Sequence, residues 1–85
     1  MKTTNLLKKL EAKSLLVIDD SSPESKHNRR FYAIANGRKL TVCTQGDEVA
    51  TMRVASIRDQ DDIVSDYFAG SYWDTLPQVF RAMGI

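Results

Sequence analysis

The sequence has little of several residue types, and each shortage excludes a class of protein. Among 85 residues there is one cysteine, Cys43, which excludes an intrachain disulfide. One cysteine and one histidine, His27, are too few for a zinc site of the usual Cys/His type. The four glycines are scattered, so no glycine-rich loop is present to hold a phosphate. We therefore expect no metal and no cofactor.

Long apolar runs are also absent, since the longest is residues 15–18, far below the roughly 20 residues that span a bilayer. The single cysteine, together with the missing signal peptide, favours a reducing, cytoplasmic setting. The length predicts a single domain over residues 1–85, which buries only roughly 60% of its unfolded surface and leaves little room for a large pocket. His27 lies in a polar loop and Cys43 on a strand, without a recognisable catalytic partner, so we expect no enzymatic activity.

The net charge of +1 is an average over two unlike halves. Residues 1–45 contain nine basic and four acidic side chains, whereas residues 46–85 contain three basic and seven acidic ones. The first half therefore carries +5 and the second −4. A charge difference of this size leaves two arrangements open: the basic and acidic residues form separate surfaces, or they neutralise each other across the sheet.

Hydrophobic spacing predicts helix–strand–strand–strand–strand–helix. A first helix begins with Thr3 or Thr4 as N-cap and ends near Lys13, and leucines at positions 6, 7 and 10 share one face. Residues 15–18 predict a short buried strand. Residues 31–35 and 40–44 predict a hairpin around Asn36-Gly37, because both turn residues tolerate a positive φ.

The remaining elements follow the hairpin. Residues 49–57 predict a further antiparallel strand, whereas residues 63–72 fit either a helical turn or an extended edge segment. The final helix has Asp74 or Thr75 as N-cap, Pro77 in its first turn, an apolar stripe and Gly84 as its end. The stripe consists of Leu76, Val79, Phe80 and Met83. The expected fold is an α+β two-layer sandwich, with about four antiparallel strands and both helices on one sheet face.

Aromatic residues are concentrated in the acidic half, where five of the seven fall between residues 67 and 80. Exposed Tyr and Trp beside charged residues are typical of protein-binding hot spots. We expect Tyr67, Tyr72 and Trp73 to anchor a protein partner, with Asp61, Asp62 and Asp66 as a charged rim. The alternative is that this segment folds over the sheet as a lid on the core.

The stretch Asp61-Asp62-Ile63-Val64-Ser65-Asp66-Tyr67-Phe68 resembles a segment of small accessory proteins from phages and other mobile elements. That segment is rich in aspartate and contains Ser/Thr-Asp-Tyr followed by an aromatic residue. These proteins are similar to one of the large-polyvalent-protein-associated domains. The resemblance covers only the C-terminal part of the chain, as far as Trp73. It implies a non-enzymatic accessory role and no catalytic residues.

The basic half suggests a second function. Lys26, Arg29, Arg30, Arg38 and Lys39 would form a cationic stripe if the loop and the hairpin tip lie along one edge. Such a stripe follows nucleic-acid phosphates, and its affinity falls with salt. The alternative to a protein partner is therefore a nucleic acid, and the edges of so small a sheet leave a homodimer open.

Overall fold

A computed structural model describes residues 1–21, 28–57 and 70–85. Two helices and five strands follow one another along these residues. They are α1 (Thr3–Ala12), β1 (Val17–Asp19), β2 (Arg30–Ala35), β3 (Arg38–Gln45), β4 (Glu48–Ser56), β5 (Gly70–Tyr72) and α2 (Leu76–Met83). The predicted α+β class is confirmed, and the described sheet has five strands rather than about four.

The sheet is an antiparallel meander in which the spatial order β1-β2-β3-β4-β5 equals the order in sequence. Phe31 pairs with Val42, and Val42 pairs with Met52, so these three side chains lie on the same face. Both helices pack on that face. We call the opposite face, which points away from α1 and α2, the back face.

The core lies between the helices and the sheet, and the two helices contribute to it through the spacing of their apolar residues. Its buried members are Leu6, Leu10, Phe31, Ala33, Leu40, Val42, Met52, Val54, Leu76, Val79 and Met83. Phe80, the remaining member of the predicted stripe, is half-buried and packs against this cluster. Each fully buried Leu or Val contributes about 1.5–3 kcal/mol relative to an exposed one, so α1 and α2 are held mainly by this face.

The predicted hairpin is confirmed. Asn36 has φ 54° and Gly37 has φ 71°, the positive values that a two-residue turn requires. The side-chain amide of Asn36 also donates to the carbonyls of Met83 and Gly84, at 2.9 and 3.0 Å. The turn therefore supplies hydrogen bonds to the C-terminal end of α2, where helical carbonyls lack partners within the helix.

The second helix begins and ends as predicted. Thr75 is its N-cap, and the Gln78 side chain accepts hydrogen bonds from the Thr75 backbone N–H at 3.1 Å and hydroxyl at 3.0 Å. Pro77 lies in the first turn, where its missing N–H costs nothing. Gly84 adopts φ 74° and ends the helix in the left-handed region.

Two local predictions were wrong. Residues 15–18 were expected to form a buried strand, but β1 begins at Val17 and lies at the edge of the described sheet, where β2 is its only neighbour among the described strands. Ile18 is therefore 37% exposed, and Leu16, just before the strand, is 80% exposed. The N-cap of α1 is Lys2 rather than a threonine, and no side chain caps it. Instead, the backbone N–H of Thr3 donates to the carbonyl of Asp47 at 2.8 Å. Asp47 lies in the turn between β3 and β4, so this turn provides an acceptor for one of the N–H groups that have no partner within the helix.

The stretch of residues 63–72 lies outside the described residues except for Gly70–Tyr72, which form β5. The extended alternative therefore holds for its last three residues. Among the described residues, neither helix has the length and apolar character required to cross a membrane.

Candidate functional site

The back face carries a polar and aromatic surface. The strand register places alternate side chains of β2 to β5 there, and their order is fixed by the cross-strand pairs Arg30–Cys43, Tyr32–Thr41 and Arg53–Tyr72. A groove of 440 Å³ runs over this surface. Arg30, Thr41, Cys43, Thr51, Arg53, Gly70 and Tyr72 line it, and we call it the back-face groove.

Tyr72 is the exposed aromatic residue of this groove. It lies in the edge strand β5, its side chain is 67% exposed, and its cross-strand neighbour is Arg53. The backbone after it is held by a hydrogen bond from the Trp73 N–H to the Met52 carbonyl at 2.9 Å, and the preceding Ser71 pairs with Val54 of β4. Tyr72 is thus a large, exposed side chain with few rotatable bonds on a strand that is paired with β4.

Gly70 explains how β5 approaches β4 so closely. A Cβ at this position would lie 2.7 Å from the Val54 carbonyl oxygen and 2.9 Å from the Ala55 Cβ. Real contacts of that length do not occur, so a side chain here would displace one of the strands. Glycine at the start of β5 therefore positions Tyr72 two residues later.

Trp73 does not share the position of Tyr72. Consecutive residues of an extended chain point to opposite sides, and the half-buried Trp73 ring packs against the core. Its indole N–H is buried and has no hydrogen-bond acceptor among the described residues. The predicted pair of anchors is therefore divided into one exposed residue and one that supports the core.

The other predicted members of this surface belong to the part of the chain before β5. Tyr67, Asp61, Asp62 and Asp66 lie outside the described residues. The same holds for Lys26 and His27.

The four described cations of the predicted nucleic-acid stripe are not brought together on one face. Arg30 and Lys39 lie on the back face, where the Arg30 guanidinium is 5.1 Å and the Lys39 ammonium 4.9 Å from the centre of the Tyr32 ring. Lys39 is only 1% exposed, and Arg30 is half-buried. Both side chains also have further interactions.

The other two cations, Arg29 and Arg38, contact residues of the protein itself on the helix side of the sheet. Arg29 forms an ion pair with Asp19, and its guanidinium lies 4.8 Å from the centre of the Phe31 ring. Arg38 donates to the Ala82 carbonyl in the last turn of α2. Because consecutive residues of an extended chain point to opposite faces, Arg29 and Arg38 are separated from their neighbours Arg30 and Lys39.

Two carboxylates have altered acidity. Hydrogen bonds from Ser21, followed by Arg29, lower the pKa of Asp19 below its ordinary value. The Lys2 ammonium, 2.8 Å from the Asp47 carboxylate, lowers the pKa of Asp47, and the same contact raises the pKa of Lys2. These groups are exposed and lie away from the back-face groove, so they are ion pairs of the surface rather than members of a site.

Cys43 is a half-buried free thiol that lies opposite Arg30 and Thr51 in the register. Among the described residues, no group of three or more histidine, cysteine, aspartate or glutamate side chains is arranged to hold a metal ion.

Comparison with known proteins yields no match to a family model, to a curated protein or to a solved structure. Sequence reasoning identified Tyr72 but missed Arg53 and Gly70 as its neighbours. The polar Arg53 between the apolar Met52 and Val54 indicates the back face, but only strand pairing shows that Tyr72 lies beside it.

Proposed function

We propose that this protein is a small, non-enzymatic interaction module that binds a protein partner through the back-face groove, with Tyr72 as the central anchor. The observation that carries the proposal is the 67% exposure of Tyr72 on a fixed edge strand beside Arg53. Tyr and Arg are over-represented among residues that dominate binding energy. Tyrosine also gives a large contact area at a low entropic cost, because it has two side-chain torsions.

The residues that line the groove support this function. Its lining includes the exposed Thr51 and the half-buried Arg53, which is the cross-strand neighbour of Tyr72. Aromatic residues and arginine are enriched in protein interfaces, whereas lysine and the acidic residues are depleted. Trp73 contributes indirectly, because its ring packs against the core beneath β5 and thereby keeps Tyr72 in place.

The proposal keeps Tyr67 as a further anchor and the acidic residues Asp61, Asp62 and Asp66 as the charged rim. They precede β5 by a few residues in the chain. A negative rim would speed association with a basic partner and would make the association rate sensitive to salt. We further propose a role as a phage or mobile-element accessory protein in the cytoplasm, for which the support is the resemblance of residues 61–68 and the single cysteine.

The experiment is affinity capture from nuclease-treated lysate with three forms of the chain: wild type, Tyr72→Ala and Ile85→Ala. Ile85 is also a partly exposed apolar residue, at 38%, but it lies after α2 and outside the groove. We expect wild type and Ile85→Ala to retain the same protein and Tyr72→Ala to lose it, at unchanged circular dichroism. A single hot-spot truncation costs about 2 kcal/mol or more, which corresponds to at least roughly a thirtyfold loss in affinity.

Equal capture by Tyr72→Ala and wild type would contradict the proposal. A mobility-shift assay at low salt serves as the second arm. Retardation of nucleic acid that disappears in Arg30→Gln, without any protein captured, would instead support the alternative of a nucleic-acid binder.

A further inference from the structure

The back-face groove contains a buried hydroxyl that makes no hydrogen bond to any described residue. This is the Oγ1 of Thr41, which lines the groove and is 6% exposed. Buried side-chain oxygens in proteins are nearly always hydrogen-bonded, so an exception requires an explanation. Thr44, a second buried threonine of β3, shows the usual arrangement, because its Oγ1 accepts from the Arg29 N–H at 3.0 Å. The hydroxyl of Thr41 can therefore bond to a group that enters the groove.

Two arginines lie on either side of this hydroxyl. Arg53 is directly opposite Thr41 in the register of β3 and β4, and the Cβ atoms of such pairs are about 5 Å apart. On the other side Tyr32 pairs with Thr41, and the Arg30 guanidinium lies 5.1 Å from the centre of the Tyr32 ring. Arg30 and Arg53 both line the groove and are half-buried. Positive charge is thus present on both sides of the Thr41 hydroxyl.

The charge of the groove favours a negatively charged ligand. Its described lining contains the two arginines and no carboxylate, and Asp20, at the β1 end of the same face, accepts a hydrogen bond from the Tyr32 hydroxyl at 3.2 Å. Arg30 and Arg53 also interact elsewhere in the protein, but a guanidinium has five N–H donors and can keep such contacts while it binds an anion. Half-buried cations attract an anion more strongly than exposed ones, because water screens the attraction less.

We propose that the back-face groove receives an acidic side chain of the protein partner, and that Arg30, Arg53 and the Thr41 hydroxyl bind its carboxylate. This rests on the proposed function and adds the chemistry of the residue that the partner presents. Hydrogen bonds from arginine or a hydroxyl to a carboxylate are charge-assisted and roughly twice as strong as neutral ones. Thr51 and Tyr72 are the exposed members of the lining and therefore border its open side. A partner that rests on Tyr72 can thus extend a glutamate or aspartate inward to Thr41.

Nuclear magnetic resonance of the protein alone tests the carboxylate site, with sodium acetate as the probe and sodium chloride at the same ionic strength as the reference. We expect acetate to shift the Thr41 amide signal and the Nε–H signals of Arg30 and Arg53 in a saturable manner, and chloride to leave them unchanged. Thr41→Val should lower the affinity for acetate at least roughly tenfold, the loss expected for one hydrogen bond to a charged group. Identical shifts with acetate and chloride would overturn the proposal.

Thr44→Val is the matched control, and urea denaturation separates binding from stability. Thr44→Val removes a hydrogen bond within the protein, so it should be less stable than wild type and bind acetate with unchanged affinity. Thr41→Val removes a buried hydroxyl that makes no hydrogen bond to the described residues, so its stability should equal or exceed that of wild type. Wild-type affinity for acetate in Thr41→Val, or a loss of stability as large as that of Thr44→Val, would contradict the proposal.

Inorganic phosphate and partner capture distinguish the remaining outcomes. Saturable binding of phosphate at these residues without binding of acetate would exclude a carboxylate site in favour of a phosphate ligand. Thr41→Val should capture less of the protein partner than wild type, and equal capture would count against the proposal. Tyr72→Ala should keep its affinity for acetate while it loses the partner, so failure of the Tyr72 anchor and failure of the carboxylate site give different results.

Discussion

The side chain of Asn36 joins the turn between β2 and β3 to the end of α2. Its amide donates to two helical carbonyls that otherwise lack partners, and its backbone holds the positive φ of the turn. One residue therefore fixes the local geometry of a hairpin and the docking of a helix that lies far along the chain.

Replacement of Asn36 separates the two roles. Asn36→Gly keeps the positive φ and removes both hydrogen bonds, so we expect a loss of about 1–2 kcal/mol in the free energy of unfolding. Asn36→Asp places a carboxylate against two carbonyls at the negative end of α2, and should be the less stable variant. Urea denaturation measures both. Equal stability of Asn36→Gly and wild type would show that these bonds contribute nothing.

Asp19 gives the stability of the protein a dependence on acid pH. Its pKa is lower in the folded state than its ordinary value of 3.8, so the unfolded chain binds a proton first. The stabilisation is present above pH 3.8 and is lost as the pH falls through the lower folded pKa. We expect Asp19→Asn to make the free energy of unfolding depend less steeply on pH below about pH 4. Asp74→Asn, another exposed aspartate, is the control, and an identical slope in Asp19→Asn and wild type would contradict the assignment.

At the scale of elements, β5 is the strand on which the proposed site depends. It contains three residues, and its close approach to β4 requires that position 70 has no side chain. Its neighbour Trp73 is the only tryptophan in the chain, so the fluorescence of this residue reports the packing of β5 and the core.

We expect Gly70→Ala to displace β5 and to cost about 1–3 kcal/mol, because the new methyl group meets the backbone carbonyl of Val54. The fluorescence of Trp73 should shift to longer wavelength, and partner capture through Tyr72 should weaken. Ser71→Ala, the next residue and exposed, is the matched control and should leave the spectrum unchanged. A native spectrum in Gly70→Ala would show that β4 and β5 have room to separate.

The elements differ in how far the sequence predicts them. The Asn36-Gly37 turn and α2 are predicted because local chemistry determines them: a positive φ, an apolar stripe, a C-terminal glycine. The edge position of β1 could not be predicted, since an apolar run looks the same whether one strand or two lie beside it. For the same reason Tyr72 was identified from composition, while its neighbour Arg53 emerges only from the pairing of β4 with β5.

At the scale of the whole molecule, one core joins both helices to the sheet, so the described elements should unfold together. We expect a single denaturation transition, with the same midpoint in Trp73 fluorescence and in far-ultraviolet circular dichroism. The predicted single domain over residues 1–85 requires this agreement. Two separate midpoints would indicate that a helix or a sheet edge melts independently.

The two charged halves of the sequence meet in space at one end of the sheet. The Lys2 ammonium lies 2.8 Å from the Asp47 carboxylate and 3.3 Å from that of Glu48, in the turn between β3 and β4. These exposed pairs are worth little energy individually. They show that the basic excess at the start of the chain is partly neutralised by the acidic excess of the second half.

The meander has a consequence for how the chain is made. Because each strand pairs with the strand before it, every new strand emerging from the ribosome finds its neighbour already synthesised. The turns between β2 and β3 and between β3 and β4 contain two residues each, and local pairings of this kind favour rapid folding. The exception is α2, the last of the described elements, which must return to β3 and the Asn36 turn. Completion of the core therefore waits for the synthesis of α2, and until then the apolar face of the sheet depends on α1 for cover.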